Sequence, residues 1–464
     1  MTRAGAWLWL TAAVCASAQV RLPSHEAVTL PNGLRVVLAP NREVPLVTLR
    51  VLARGGAEMD SPERAGLSDV TAELLQRGAG GRSAQEFAAQ LDALGADWQT
   101  AATPQAIEIE LEFLARDTGA ALGLLGDALG RPAFAEAEVK KALAESIDAA
   151  KSVKDDAGEA SRYYAKAMMF GPAHPYGRLP DELSLARITR DDIVRFHRQA
   201  FGARNLIVVA AGDFVPAAMR AEIEKVLGAL PAGEAHTWLA ARAAPRHDAP
   251  RLLLVDKPDA TQTYFSVMMP GVERGHADRA ALWLVNTLFG ERFTSMLNDE
   301  LRVNSGLTYG ASSLVEMNRL PGAITIYSYT KTESTVAAID LALTVLRRLR
   351  EKGIDAAQLA SAKAYIKGKY PTDNLETSRQ VAAVLGDLAL FGLNRGEVDD
   401  LFSRLDAVTP ARATEVARRY FTDANLQFCL VGKAAAIREG VAKYAARRKE
   451  IAIAAPGVAV PEFR

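Results

Sequence analysis

Apolar positions along this chain recur with two periods, and the change from one to the other marks out its elements. Leu46 to Leu52 and Ile107 to Phe113 alternate with a period of two, which predicts strands. Short runs rich in apolar residues, Leu34 to Leu38 and Leu206 to Ala211, predict the strands that open and close the first half. A 3.6-residue period predicts helices over 66–77, 84–94 and 118–129, and a long amphipathic one over 136–153. The same alternation resumes later, with strands at 252–256, 263–269 and 426–431 and helices at 279–288, 333–352 and 356–369. In Ile107 to Phe113 every second residue is Glu, a pattern that predicts a sheet with one face open to water. Strands and helices mix without a regular βαβ rhythm, so the expected class is α+β. Each half is expected to be a mostly antiparallel sheet with helices packed on one side.

The two halves echo each other. An Asn followed by an apolar run closes both, Asn205 to Gly212 and Asn425 to Gly432. The offset is roughly 220 residues, far beyond any solenoid repeat, so duplication of a whole domain accounts for it. Proline and glycine in 231–250 (Pro231, Gly233, Pro245, Pro250) break regular structure and suit an exposed connection. The expected organisation is a domain over 19–230, a linker over 231–250, a second domain over 251–445 and a tail over 446–464.

Composition narrows the setting. A chain of 464 residues needs more than one core. Equal numbers of acidic and basic residues, 55 each, give no broad attraction to nucleic acid or anionic membrane. Arg3, the apolar run Ala6 to Cys15 and the small residues Ala16-Ser17-Ala18 read as a signal peptide over 1–18, cut before Gln19. A lipid-modified Cys15 is the alternative, disfavoured by Val14 at a place where a small residue is wanted. The run is too short for a membrane span, and a periplasmic location is expected. Cleavage leaves only Cys429, which cannot form an internal disulfide and sits in a strand-like apolar run as a buried thiol.

Several stretches resemble the pitrilysin/insulinase family of zinc metallopeptidases, of the two-domain, mitochondrial-processing-peptidase-like type. They are Leu30-Pro31-Asn32-Gly33-Leu34, Gly66 to Gly78, Leu94-Gly95-Ala96 with Thr103, His174-Pro175-Tyr176-Gly177 and Asn205 to Phe214. The most specific is Arg292 to Gly310. The resemblance runs from about Leu30 to Lys433 and implies paired α+β domains facing each other around a closed chamber. The family's inverted zinc motif, His-x-x-Glu-His, falls on Asp69, Ala72 and Glu73, and its third ligand falls near Glu145 or Ser146. The scaffold is kept while the ligands and the base are replaced.

Peptide hydrolysis on zinc needs His or carboxylate ligands, an open position and a base. Asp69 and Glu73 share a helix face, but a carboxylate pair is poorly matched to zinc, and Ala72 cannot act as a base. The three acids could bind calcium or magnesium weakly, or serve as solvated helix-face charges. The six histidines are scattered without ligand spacing. No cofactor is therefore expected in this chain, and zinc is expected in a partner.

On local sequence Arg302 reads as a helix-terminal cap and Tyr309 as a packed strand residue. The resemblance gives them another role, with Arg302 donating to substrate carbonyls and Tyr309 donating to the oxyanion of peptide hydrolysis. It thus implies the non-zinc subunit of a heterodimer, acting on peptides with a zinc-bearing homologous subunit. The alternative is a non-catalytic peptide-binding or scaffold protein of the same fold. A serine hydrolase lacks its Gly-x-Ser-x-Gly element.

Overall fold

The computed structural model describes residues 19–240, 243, 245–458 and 460–463, so the proposed leader over 1–18 lies outside the described residues. The first sheet holds β1 (Glu26–Thr29), β2 (Arg35–Pro40), β3 (Leu46–Arg54), β4 (Asp97–Ala102), β5 (Ala106–Leu114) and β6 (Leu206–Gly212). Their order is β1-β2-β6-β3-β5-β4. The second sheet holds β7 (Arg251–Asp256), β8 (Gln262–Pro270), β9 (Ala311–Met317), β10 (Pro321–Lys331), β11 (Gln427–Gly432) and β12 (Arg447–Ala452). Their order is β12-β7-β11-β8-β10-β9. The last five strands of the first order match the last five of the second, position for position. In both halves the strand that closes the half lies parallel to the one that opens it (β6 on β2, β11 on β7), and the inner pairs are antiparallel. The fold is α+β, with two related six-stranded sheets.

Only the outermost strand differs. β1 comes from the start of its half and pairs antiparallel to β2, whereas β12 comes from the end of the chain and pairs parallel to β7. Residues 446–464, expected above as a tail, thus supply an edge strand to the second sheet. Cys429 lies in β11, free and fully buried, where desolvation pushes its thiol far above the ordinary range.

Each sheet packs its own helices on one face and borrows a helix for the other. The Ala157–Phe170 helix, from the first half, lies on β8 and β11 of the second sheet. The Ser378–Leu390 helix, from the second half, lies on β3 and β6 of the first. Both approaches are close, and a Cβ at either contact would press on the facing side chain. A Cβ on Gly158 would meet the Tyr327 hydroxyl at 2.8 Å, and one on Gly386 would meet Leu52 Cδ1 at 3.1 Å. One apolar core accordingly contains Val37, Leu52 and Val209 of the first sheet together with Leu385 and Leu388 of the crossing helix. Each such buried side chain contributes on the order of 1.5–3 kcal/mol.

This crossing corrects the wet face expected for β5. Glu108, Glu110 and Glu112 lie under the Ser378–Leu390 helix and are matched by arginines. Arg50 of β3 pairs with Glu108 and Glu110, while Arg379 of the crossing helix reaches Glu110 at 3.2 Å and Glu112 at 3.3 Å.

The linker is irregular, as its composition predicts, but its middle is anchored rather than free. Glu58, almost fully buried, accepts hydrogen bonds from Leu239 N (2.6 Å), from His236 Nε2 (3.4 Å) and from Arg319 at 2.9 and 3.2 Å. Asn205 Oδ1 accepts from His236 N (2.8 Å). The His174-Pro175-Tyr176-Gly177 turn also binds the halves together. The Tyr176 hydroxyl accepts from Leu320 N in the second half (2.8 Å) and from Gln105 Nε2 (3.0 Å).

Candidate functional site

The Leu67–Leu74 helix starts at Gly66, whose φ of +95° favours glycine. Its first amides are capped by Asp60, which accepts from Gly66 N and Ser68 N at 3.0 Å and from Ser68 Oγ at 2.9 Å. Leu67, Val70 and Leu74 hold the helix to the core, and Ala72 is buried with them. The position where the family carries its base is therefore an apolar packing contact. Burial raises the Asp60 carboxyl to about 7, against the pull of its hydrogen bonds. Asp69 is open to solvent on one side and crowded by protein on the others, and this partial desolvation raises its carboxyl to about 6.

Glu73 and Glu145 are brought together, but around an arginine. Arg77 Nη2 donates to Glu73 Oε1 at 2.9 Å and to Glu145 Oε2 at 2.5 Å, while Nη1 lies 3.9 Å from Glu138 Oε2. Gln76 Nε2 donates to the other Glu73 oxygen at 3.1 Å. The Arg77 side chain is only 16 % exposed. A guanidinium thus supplies the positive charge that these carboxylates would otherwise seek from a cation. Among the described residues no group of three or more His, Cys, Asp or Glu side chains could hold a metal ion. The residues present do not fit zinc: Glu73 is engaged through both oxygens, Ala72 is apolar and Asp69 stands alone. Arg77 lies inside the stretch that carries the zinc-motif resemblance. Its i,i+4 spacing from Glu73 could have signalled the pair, whereas its reach to Glu145 depends on the fold.

The Arg292–Gly310 element follows another logic. Ser295 caps a short helical turn, Met296–Asn298, which widens into a π-helical turn over Asp299–Asn304. Such turns recur at functional sites because they re-aim side chains. Leu297 and Leu301 are fully buried and fix the turn to the core. Gly306, at φ +64°, reverses the chain, and Leu301 O accepts from both Leu307 N (2.9 Å) and Thr308 N (3.2 Å). Thr308 Oγ1 accepts from Gly310 N (3.1 Å), so 307–310 is a braced loop and β9 starts at Ala311, later than the strand expected from Leu307.

On this braced frame Arg302 and Tyr309 point outward. Tyr309 is 77 % exposed. Arg302 is exposed too, its guanidinium 4.8 Å from the Phe293 ring centroid. Phe293 precedes the Ser295 cap and is 64 % exposed. Among the described residues, neither the Arg302 guanidinium nor the Tyr309 hydroxyl makes a hydrogen bond or an ion pair, which sets aside the capping and packing readings. No hydrogen bond or ion pair joins them to Asp69, Glu73 or Glu145. Val303 and Leu314, also exposed, add apolar surface in the same segment.

Two family models cover most of the chain: Insulinase (Peptidase family M16) over 35–168 and Peptidase M16 inactive domain over 187–366. The chain belongs to the M16 (insulinase) peptidase family. Its helix at the family's metal site carries Asp69, Ala72 and Glu73 in place of the zinc motif. A Bacillus subtilis relative, "Uncharacterized zinc protease YmxG", is 24 % identical over 85 % of this chain and 95 % of its own length. A Helicobacter pylori relative, "Non-peptidase homolog YmxG", is 22 % identical over 73 % of this chain and 78 % of its own. A crystal structure of a peptidase M16 inactive domain from Pseudomonas fluorescens superposes with a TM-score of 0.82. It is 22 % identical, and the match covers 88 % of this chain and 98 % of that one. Among the described residues no helix is long and apolar enough to cross a membrane.

Proposed function

We propose that this M16 chain is the non-zinc subunit of a heterodimeric peptidase, supplying Arg302 and Tyr309 to the catalytic centre of a zinc-bearing homologous subunit. One observation carries the reading. The two side chains are exposed and unpaired on a frame braced by buried leucines and backbone hydrogen bonds, while Glu73 and Glu145 at the family's metal positions are tied to Arg77. Preorganised donors facing outward suit a site completed by another chain. In this reading Arg302 donates to carbonyl oxygens of a bound peptide. Tyr309 donates its hydroxyl proton to the oxyanion that develops at the scissile carbon. The base and the metal belong to the partner. The leader-like start agrees with an exported, periplasmic pair.

The test is reconstitution. Each purified chain alone should leave a fluorogenic peptide intact, and their mixture should cleave it. Full activity of a mixture containing R302A would overturn the reading. A second reading is a non-catalytic peptide-binding or scaffold protein, and the Helicobacter pylori relative, a non-peptidase homolog, agrees with its non-catalytic part. It gains if no mixture with a zinc-bearing homologue hydrolyses peptide.

A further inference from the structure

A cavity of about 620 Å³ lies where the β3 side of the first sheet meets the helices of the second half. Its size falls within the range of small-molecule sites. The walls carry several charged side chains, and most are already matched. Arg50 is held by Glu108 and Glu110, and Arg279 is held by Glu397. Arg404 donates to the carbonyls of Gly396 and Glu397.

Two opposite charges on the walls are unmatched. Among the described residues, neither the Arg274 guanidinium nor the Asp387 carboxylate makes a hydrogen bond or an ion pair within 4.0 Å. Desolvation raises the Asp387 carboxyl, and the charges of Arg274 and Arg50 only partly offset the rise. Asn286, 4 % exposed, also lines the cavity; it donates to Ser313 O at 3.1 Å and leaves its Oδ1 without a partner. The walls thus leave one fully buried polar atom, Asn286 Oδ1, and two half-buried charges, Arg274 and Asp387, without protein partners among the described residues. The remaining wall is aromatic and aliphatic, with Trp283 and Tyr370 edge-to-face at 6.1 Å and Leu388 beside them.

We infer that this cavity binds a di- or tripeptide with both ends free, its carboxylate on Arg274 and its ammonium on Asp387. A zwitterion satisfies both unmatched charges at once, which an anion or a cation alone cannot do. Apolar side chains fit against Trp283 and Tyr370. A single amino acid leaves most of the volume empty, so the size selects a short peptide. This inference does not rest on the heterodimer reading, and its test uses this chain alone.

Calorimetry and Trp283 fluorescence on the full chain test it with Leu-Phe, N-acetyl-Leu-Phe, Leu-Phe amide and free phenylalanine. Saturable binding of Leu-Phe is expected, weakened about tenfold or more by either cap, since each removes one charge-assisted contact. R274Q should bind Leu-Phe as weakly as wild type binds the amide, and should no longer distinguish the two. D387N should behave in the same way toward the acetylated form. The capping comparison uses wild-type protein, so it stands even if a variant misfolds. Equal binding of capped and free dipeptides, or no saturable binding of any probe, would overturn the inference. Phenylalanine binding as tightly as Leu-Phe would overturn the assignment to a peptide.

Discussion

In the first half, two of the three carboxylates at the family's metal positions, Glu73 and Glu145, converge on Arg77, which donates to both, while Asp69 lies apart. In the second half, Arg302 has a Phe293 ring beneath it and no acid beside it, and the Tyr309 hydroxyl faces solvent. Both regions hang from helical turns anchored by buried leucines, Leu74 in one and Leu301 in the other. The difference lies in where charge is compensated. The first region balances its charge within the chain and so has little to offer a metal. The second keeps its donors uncompensated on a rigid frame, a cost in solvation that is small at the surface and useful only if another molecule arrives.

The widest separation between the regions is expected in activity. In a reconstituted mixture, Y309F should lower kcat by about 10²–10³-fold, the usual effect of losing one oxyanion donor, and R302A should lower kcat/KM through its lost contact to the peptide carbonyls. Thermal unfolding of either variant alone should be nearly unchanged, because exposed side chains without partners contribute little to stability. A large loss of stability in Y309F would mean that the second region is structural after all.

Zinc gives the next largest effect. Restoring the motif with D69H, A72E and E73H should yield only weak zinc binding while Arg77 remains near the ligand positions. Adding R77L should tighten it by about tenfold or more, since a fixed cation beside the site opposes a second one. Equal affinity with and without Arg77, read by competition with a chelating dye, would remove the role given to that arginine.

A smaller effect concerns stability. R77L alone should cost about 1 kcal/mol in urea unfolding, a discounted value because Glu73 and Glu145 are 40 % and 51 % exposed. R302A should cost almost nothing in the same assay.

The smallest effect is in pH. Burial lifts Asp60 to about 7 and crowding lifts Asp69 to about 6 in the folded chain, both above the ordinary Asp value. The folded state therefore binds more protons than the unfolded one between about pH 4 and pH 7. The stability these groups contribute is fully present below about pH 4 and is lost as pH rises through 6 to 7. D69N should make the fall of Tm with rising pH shallower over that window, whereas Y309F should leave it unchanged. An unaltered slope in D69N would show that Asp69 titrates normally.

Much of the fold could be read along the chain. Period-two alternation located β3 and β5, short runs rich in apolar residues located β2, β6, β7 and β11, and the roughly 220-residue offset disclosed the duplicated sheets. The errors share one cause. The acidic alternation of β5 was read as a wet face because nothing near Glu108 or Glu112 announces Arg379, which arrives from more than two hundred and fifty residues away. Tyr309 was read locally as a packed strand residue because nothing near it shows that β9 starts only at Ala311. Arg302 and Tyr309 were named from a motif, and only their exposure distinguishes an outward donor from a cap.

By itself, the sequence determined the α+β class, the duplication, the buried thiol of Cys429 and the loss of a zinc motif at Asp69, Ala72 and Glu73. These depend on residue type and on spacing within a few turns, and local stereochemistry transmits both. The tertiary structure alone decided that each sheet borrows a helix from the other half, that Arg77 joins Glu73 to Glu145, and that Arg274 and Asp387 share a cavity without touching. Those facts depend on which distant segments are brought within a few ångströms. That choice is made by the packing of whole faces, and no short stretch of chain encodes it.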